Sequence, residues 1–277
     1  MVVLFHHITK TSGTALIAEL KKQLGRTCDT ARYNFEVNDQ VLEEGRFEFY
    51  HGHYSFEMSK SIREQFSDCF AFTFIRNPIA RVLSQYYNWT DQDRVYREFE
   101  VIKQRGQDRD FINDDMKIFE REIFDMSLSD FIESDLDKIK ATVDNNQVRY
   151  LSSKNTYTES KELALSEAML NVSSFFDFVG ISEIYDRSLR ILETKINLEP
   201  MALNSRREEN VNVTGKDGER YHISEKDYQS LVCMNLFDLA LYDYTLGLFF
   251  ERYNLLVSED AEGLLRKAAS SSVIITS

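Results

Sequence analysis

The apolar and polar positions at the start of the chain predict a strand, a loop and a helix. Val2–His6 is a short apolar run, typical of a strand buried on both faces of a parallel sheet. The polar stretch 9–14 follows and predicts a loop. A leucine stripe at four-residue spacing then predicts a helix, formed by Leu16, Leu20 and Leu24. Gly25 stands where a helix C-cap residue would be expected.

A second strand–helix unit lies at "FAFTFIRNPIARVLSQYYNW". Residues 70–75 predict a central strand, and Asn77 can cap the next helix. Pro78 suits the first turn of that helix, because proline lacks an N–H and an N–H at this position would have no partner inside the helix. One helix face is apolar, through Ile79, Val82, Leu83, Tyr86 and Tyr87. Another face carries Arg81, Ser84 and Asn88. Arg76 ends the strand, at the edge where open α/β sheets bind ligands.

The remaining patterns complete an α/β fold with a central parallel sheet flanked by helices. Alternation in "FEFYHGHYSF" predicts a strand that brings His51 and His53 to one edge of the sheet, and "FFDFVGISEIYDRSL" predicts a fourth strand running into a helix. The charged segment 91–140 predicts a helical insertion with serine caps in "SLSDFIES". From Ser224 almost to Tyr253 the chain is expected to be helical. One stripe of that part holds Phe237, Leu241, Tyr244 and Leu248.

Composition narrows the class of protein. The 277 residues are 43% apolar, with two prolines and no evident linker, so we expect one domain over 1–277 with a sizeable core. A net charge of −13 argues against a nucleic-acid partner, which would require a broad basic surface. Three widely spaced cysteines form no disulfide or metal pattern, and no metal constellation is visible. No apolar run approaches the ~18 residues of a membrane span, so a cytoplasmic protein without a membrane partner is expected.

The residues of "ITKTSGT" suit an anion site. A loop leading into a helix N-terminus offers unpaired N–H groups and the positive end of the helix dipole. Lysine adds a positive charge, hydroxyls add donors, and glycine allows close backbone approach. The expected cradle is Lys10, Thr11, Ser12, Gly13 and Thr14. An ordinary strand–helix turn with a solvated lysine remains the alternative for this loop alone.

Arg76 and Ser84 indicate a second anion contact. An arginine at a strand end can bind phosphate through two parallel N–H bonds, and a serine one or two helix turns later can donate a third. Considered separately, a surface ion pair and a neutral helix residue are the simpler interpretation. Considered with the first loop, they favour a ligand with two separate anionic groups.

His51 and His53 indicate acid–base chemistry. Imidazole has an ordinary pKa of ~6.5 and can accept an alcohol proton at neutral pH. A lone histidine near a strand end is more often structural, and we expect this for His6, His222 and at least one of the "HGH" pair.

These motifs together resemble those of sulfotransferases that use 3'-phosphoadenosine 5'-phosphosulfate (PAPS). "HHITKTSGTAL" resembles their 5'-phosphosulfate loop, and "FTFIRNPIARVLSQYY" resembles their 3'-phosphate motif. "FYHGHYSF" is similar to the histidine segment of the heparan sulfate and uronosyl 2-O-sulfotransferase branch. "DNNQVRYLS" and "FDFVGISEIYDRSL" extend the similarity over roughly residues 2 to 250. The order of two motifs at strand–helix junctions is more specific than either motif alone.

The resemblance implies a P-loop-like sheet and a role for each candidate residue. His53 would be the general base, with His51 as orienter or alternative base, and Lys10 would stabilise the departing phosphate. The loop residues would hold the phosphosulfate, and Arg76 with Ser84 would hold the 3'-phosphate. Arg206 and Arg207 in "NSRREEN" would close over that phosphate, although the adjacent glutamates could pair with them. The products would be 3'-phosphoadenosine 5'-phosphate (PAP) and a sulfated acceptor.

The acceptor is open at this stage. A hydroxyl-bearing glycan or small molecule is expected, the insertion 91–140 is expected near it, and Gln147 and Arg149 are either acceptor or packing residues. The chain has no RKGxxGDWK-type segment like that of cytosolic small-molecule sulfotransferases, and no evident basic groove for a long sulfated glycan. The 2-O branch motif therefore does not fix a glycan acceptor.

Two other functions compete with this prediction. A P-loop kinase or NTPase would need GxxxxGK[ST] and an acidic residue ending a neighbouring strand, whereas Lys10 precedes Gly13 and the neighbouring strand ends in Arg76. A non-catalytic nucleotide-binding module, using 91–140 as a partner surface, would need neither Lys10 nor the histidine pair.

Overall fold

In a computed structural model, the centre of the protein is a five-stranded parallel sheet. The structure describes residues 1–31, 47–104, 109–201, 221–253, 263, 266 and 273–276. Its strands are β1 Val2–His6, β2 Thr27–Ala31, β3 Phe49–Gly52, β4 Cys69–Ile75 and β5 Phe178–Ile181. They lie in the order β2-β3-β1-β4-β5. β1 is therefore the central strand, and this arrangement confirms the predicted α/β fold.

Helices flank the sheet and form most of the remaining described chain. Those before residue 145 are α1 Gly13–Gln23, α2 Phe56–Gln65, α3 Pro78–Thr90, α4 Gln92–Gln104, α5 Arg109–Ile118, α6 Leu128–Glu133 and α7 Asp137–Val143, with a π-helical turn at Phe119–Ile123. Those after it are α8 Asn146–Leu151, α9 Lys154–Glu159, α10 Lys161–Ser174, α11 Tyr185–Lys195, α12 Glu225–Met234 and α13 Leu236–Arg252, with a 3₁₀ turn at Ser182–Ile184. The described part of 91–140 is thus helical, as predicted.

The strand register brings the carboxyl ends of three strands together. His6, the last residue of β1, pairs with Gly52 of β3 on one side and with Thr73 of β4 on the other. Loops that leave these ends therefore meet at one edge of the sheet. This is the edge at which open α/β sheets bind ligands.

The caps of α3 and α6 form as their sequences predict. Asn77 accepts a hydrogen bond from the Ala80 N–H at 3.1 Å, and Pro78 occupies the first turn. Ser127 accepts from the Asp130 N–H at 3.1 Å, which confirms a serine cap in the insertion. Each cap satisfies an N–H that has no partner inside its own helix.

The described residues form two apolar cores. The larger one contains the sheet and buries β1 completely from Val2 to Phe5. The smaller one packs the apolar face of α3 against the helices of 91–140, through Ile79, Val82, Leu83, Phe119, Phe131 and Ile132. The predicted face of α3 is confirmed except at Tyr87, which is 41% exposed.

Some sequence predictions were wrong in detail. α1 ends with Leu24 in an extended conformation, and Gly25 does not have the positive φ of a C-cap glycine. β2 was not predicted, and neither was the parallel pair formed by β6 (Tyr221–Ser224) and β7 (Val273–Thr276). These short strands show too little hydrophobic alternation to stand out from their surroundings.

The predicted helical part from Ser224 almost to Tyr253 is confirmed, and it consists of two helices. α12 and α13 meet at Asn235, and their axes differ by 76°. The predicted stripe fails at Tyr244, which is exposed, because the buried face of α13 runs through Leu241, Tyr242, Thr245, Phe249 and Phe250. In the described residues, no single helix is long and apolar enough to cross a membrane, and only α12 and α13 taken together would meet that test.

Candidate active site

The β1–α1 turn (residues 7–12) enters α1 through a strained backbone. Lys10 and Ser12 have positive φ values of 66° and 67°, which are uncommon for residues other than glycine. Thr11 is buried, and its hydroxyl donates to the Ile8 carbonyl at 2.9 Å. Ser12 makes no capping hydrogen bond to the described residues and is exposed, as is Thr14. The turn therefore places the start of α1 at the sheet edge, and the buried Thr11 hydroxyl stabilises the turn through its hydrogen bond to Ile8.

Gly13 begins α1 because no larger residue fits there. A Cβ atom on Gly13 would lie 2.1 Å from Nε2 of His7. The imidazole of His7 thus packs directly against the first residue of the helix. The sequence predicted Gly13 as a point of close approach to a ligand, whereas the approach seen here is that of a side chain.

Lys10 lies half-buried in positively charged surroundings. Its ammonium donates to Oδ1 of Asn88 at 2.9 Å. Burial lowers the pKa of Lys10 to about 7, and the positive charges of Arg94 and Arg76 act in the same direction, against a smaller opposing effect of Glu98. An anion beside Lys10 would favour its charged form and relieve this repulsion.

Arg76 joins the β1–α1 turn to the end of β4. Its guanidinium donates to the main-chain carbonyl of Lys10 at 3.1 Å. Its own N–H and carbonyl bind the side-chain amide of Gln147, each at 2.9 Å. The structure therefore brings Arg76 and Lys10 together. The side chain of Gln147 is used to bind the main chain of Arg76.

The short helix α8 is anchored by a reciprocal cap with α13. Asp238 of α13 accepts hydrogen bonds from the N–H groups of Gln147 and Val148 at 3.0 and 2.7 Å. In return, Asn145 accepts from the N–H groups of Phe237 and Asp238, each at 2.9 Å. This arrangement fixes the helix that supports Arg76. Sequence reasoning missed it, since Asn145 and Asp238 are 93 positions apart.

A buried polar face of α3 lies next to Lys10. Ser84 and Asn88 are one helix turn apart and both buried, and Asn88 binds Lys10. Arg81, one turn earlier, is fully buried and donates to the Thr142 carbonyl. Burial lowers the pKa of Arg81 to about 10, so it remains charged at neutral pH. Ser84 thus lies between two polar residues of the same face, and Asn88, which the sequence placed on this face without a role, is the hydrogen-bond partner of Lys10.

His53 is placed just after β3, where its two ring nitrogens have different environments. Nδ1 lies 2.6 Å from the main-chain carbonyl of His7. A carbonyl can only accept, so Nδ1 carries the hydrogen, and in the neutral ring Nε2 keeps its lone pair. The His53 ring also packs against the His7 ring at 4.5 Å and against Tyr150 at 6.4 Å. This tautomer is the one that can accept a proton at Nε2.

His51 and His6 lie deeper in the sheet than His53. His51 pairs with Phe5 in the body of β3, is 2% exposed and packs on the Phe49 ring. His6 is fully buried, and its Nδ1 lies 2.7 Å from the Ser59 hydroxyl. Burial lowers the pKa of His6 to about 3, so this ring is neutral. Of these three histidines, only His53 is not buried, and it directly follows the carboxyl end of β3.

The other residues singled out in the sequence are Arg206, Arg207, His222 and Arg149. Arg206 and Arg207 lie outside the described residues, as does the side chain of His222. Arg149 stacks over the Tyr157 ring at 4.5 Å. Within the part of the chain that the structure describes, no group of three His, Cys, Asp or Glu side chains could hold a metal ion.

Comparison with protein-family models identifies the family of the chain. The model of the sulfotransferase family matches residues 2–245, which include the β1–α1 turn, His53 and the Arg76–Ser84 segment. No curated protein matches the chain closely enough to count as a relative. Because the family match spans most of the chain and contains both strand–helix motifs, the protein belongs to the sulfotransferase family.

Proposed function

We propose that the protein transfers the sulfuryl group of PAPS to an acceptor hydroxyl, with His53 as the general base. One observation carries the proposal: a histidine with a fixed tautomer stands next to a cationic turn at the same sheet edge. His53 is held by the carbonyl of His7, and Lys10 follows His7 by three residues. The proposed base is thus hydrogen-bonded to the same short stretch of backbone that carries the proposed donor site.

The chemistry of the turn suits PAPS. Lys10 and Arg76 supply two cationic groups, and the pKa of Lys10 is lowered first by burial and then by the nearby positive charges of Arg94 and Arg76. A ligand with anionic groups at both ends of a nucleotide would offset these positive charges. PAPS would supply an activated sulfuryl group on its 5'-phosphate, held by the β1–α1 turn through Ser12, Gly13 and Thr14, and its 3'-phosphate would be held by Arg76 and Ser84.

Each residue has a separate task in this proposal. His53 accepts the hydroxyl proton at Nε2 while its Nδ1–H stays on the His7 carbonyl. Lys10 keeps a positive charge beside the phosphate oxygen that becomes more negative as the bond to sulfur breaks. Arg76 keeps the nucleotide in position. Positioning and electrostatics supply most of the rate enhancement.

The acceptor is proposed at a coarser level. The likeness of "FYHGHYSF" to the heparan sulfate and uronosyl 2-O branch supports a carbohydrate hydroxyl. The net charge of −13 argues against a long polyanionic glycan, because such a chain needs a basic groove. We therefore propose a hydroxyl on a small carbohydrate or on another small molecule.

A thermal-shift assay tests donor choice and separates this proposal from a kinase. PAP should raise the melting temperature more than AMP or ATP, because only PAP has both anionic groups. At 100 times its Kd, PAP would stabilise the protein by about 2.7 kcal/mol. For a chain of this size the expected shift is roughly 5–10 °C. A larger shift with ATP and magnesium than with PAP would overturn the proposal in favour of phosphoryl transfer.

A further inference from the structure

We infer that His7 is a positioning residue, whose ring fixes the distance and angle between His53 and the start of α1. The inference rests on the proposed function, in which His53 is the base and the β1–α1 turn holds the donor. It concerns the side chain of His7, beyond the main-chain carbonyl that binds His53.

The contacts of His7 place its ring between the two halves of the site. One side of the ring packs on His53, with 4.5 Å between ring centroids and an angle of 31° between the planes. On the other side, Nε2 of His7 lies 2.1 Å from the position that a Cβ atom of Gly13 would occupy. The ring also stacks on Phe5 at 5.0 Å. The ring of His7 therefore acts as a spacer between His53 and Gly13.

The backbone around His7 is equally constrained. Its N–H donates to the Gly52 carbonyl at 2.9 Å, and its own carbonyl accepts from His53 at 2.6 Å. Residues 52 and 53 are thereby tied to both sides of the same peptide unit. The ring of His7 then decides how the imidazole of His53 is oriented about this anchor.

His7 acts through its shape rather than through charge. The ring is 8% exposed, and burial lowers the pKa of His7 well below its ordinary value. The groups that face it lower this pKa further: His53, His51, His6 and Lys10. A neutral ring at this position places no positive charge against the base.

The test compares His7→Ala with His7→Phe. His7→Ala removes the ring and should lower kcat about 10–100-fold at saturating donor, since small misplacements of reacting groups can cost that much. His7→Phe keeps a flat ring and should stay within a few-fold of wild type. Val3→Ala, four residues earlier in the buried strand β1, is the control for loss of packing and should lower the melting temperature without lowering kcat.

A double-mutant cycle separates positioning from a structural role. If His7 acts through His53, then adding His7→Ala to His53→Ala should cause no further loss of kcat. Additive losses would overturn the inference, because they would mean that His7 acts independently of the base. Full activity of His53→Ala would refute the base assignment and the inference with it. A normal loss in His53→Ala together with wild-type kcat in His7→Ala would refute the inference alone.

A readout without turnover uses nitrogen NMR of the imidazoles. In the wild type and in His7→Phe, His53 should show a single neutral tautomer with its hydrogen on Nδ1. In His7→Ala we expect a mixture of His53 tautomers, because the imidazole of His53 loses its packing on the His7 ring and is free to rotate away from the carbonyl of residue 7. An unchanged single tautomer in a folded His7→Ala protein would contradict the inference even before an acceptor is known.

Discussion

Two groups of side chains near the carboxyl end of β1 differ in charge. The histidine side consists of His6, His7, His51 and His53, and the cationic side consists of Lys10, Arg76 and Arg94. Burial keeps His6 and His7 neutral on the first side. On the second side Lys10 has a pKa of about 7, which burial lowers most and the positive charges of Arg94 and Arg76 lower further.

The difference shows how one sheet edge can hold a base next to an anion site. A positive charge against His53 would disfavour its acceptance of a proton, whereas positive charge near Lys10 favours binding of an anion. The support of the base and the cationic group lie only a few residues apart in the turn after β1: His7 supports His53, and Lys10 follows three residues later.

Loss of the base should have the largest effect. His53→Ala should lower kcat by roughly 10²–10⁴, the size expected for a positioned general base, and should leave PAP affinity nearly unchanged. Steady-state kinetics and calorimetry measure the two quantities. His51→Ala is the comparison and should cost less, since His51 lies in the body of β3. A kcat near wild type in His53→Ala would assign the base to another residue.

Loss of Lys10 should affect turnover more than donor binding. Lys10→Ala removes a charge that is needed most as the departing phosphate becomes negative, so kcat should fall by about 10²–10³. Lys22→Ala, which removes a lysine at the other end of α1, is the matched control and should be nearly neutral. Equal losses in PAP affinity and in kcat/KM, with kcat unchanged, would show that Lys10 only binds the donor.

Loss of Arg76 should act chiefly on nucleotide affinity. Arg76→Ala should weaken PAP binding about 10–100-fold, as expected for a hydrogen bond to a charged group. AMP, which lacks the 3'-phosphate, should lose much less affinity. Arg190→Ala removes an exposed arginine on α11 and controls for net charge. Equal PAP binding by wild type and Arg76→Ala in calorimetry would remove Arg76 from the site.

The pH dependence of PAP binding should give the smallest effect. Lys10 has a pKa of about 7 in the protein, so it loses its proton as the pH rises from 7 to 9. A bound phosphate should raise this pKa, and binding should then take up a proton above pH 7. PAP affinity should therefore fall with rising pH, by at most tenfold per pH unit. Calorimetry in buffers of different ionisation enthalpy would detect the proton, and Lys10→Met should abolish its uptake.

Local sequence signals predicted the elements that depend on nearby residues. The apolar run of β1, the Asn77 cap and the loop before α1 each follow from a few adjacent positions. The prediction for His53 also rested on its position at a strand end. Parts that depend on distant residues could not be predicted, such as the cap between Asn145 and Asp238 and the break at Asn235.

His7 shows why the rest of the site was missed. In the sequence it is one of two adjacent histidines at the end of an apolar run, and its pattern gives no reason to prefer it over His6. Its importance depends on contacts with Gly13 and His53, which require the register of β1 and β3. The same register separates His53 from His51, which the "HGH" spacing alone left open.

The most direct test of the central claim is sulfate transfer from radiolabelled PAPS to a panel of alcohols, phenols and sugars, with His53→Ala measured in parallel. We predict a labelled, acceptor-dependent product with the wild-type protein and a loss of 10²–10⁴ in its rate of formation with the variant. Tight binding of PAP without transfer to any member of the panel would contradict the claim and would favour a nucleotide-binding module.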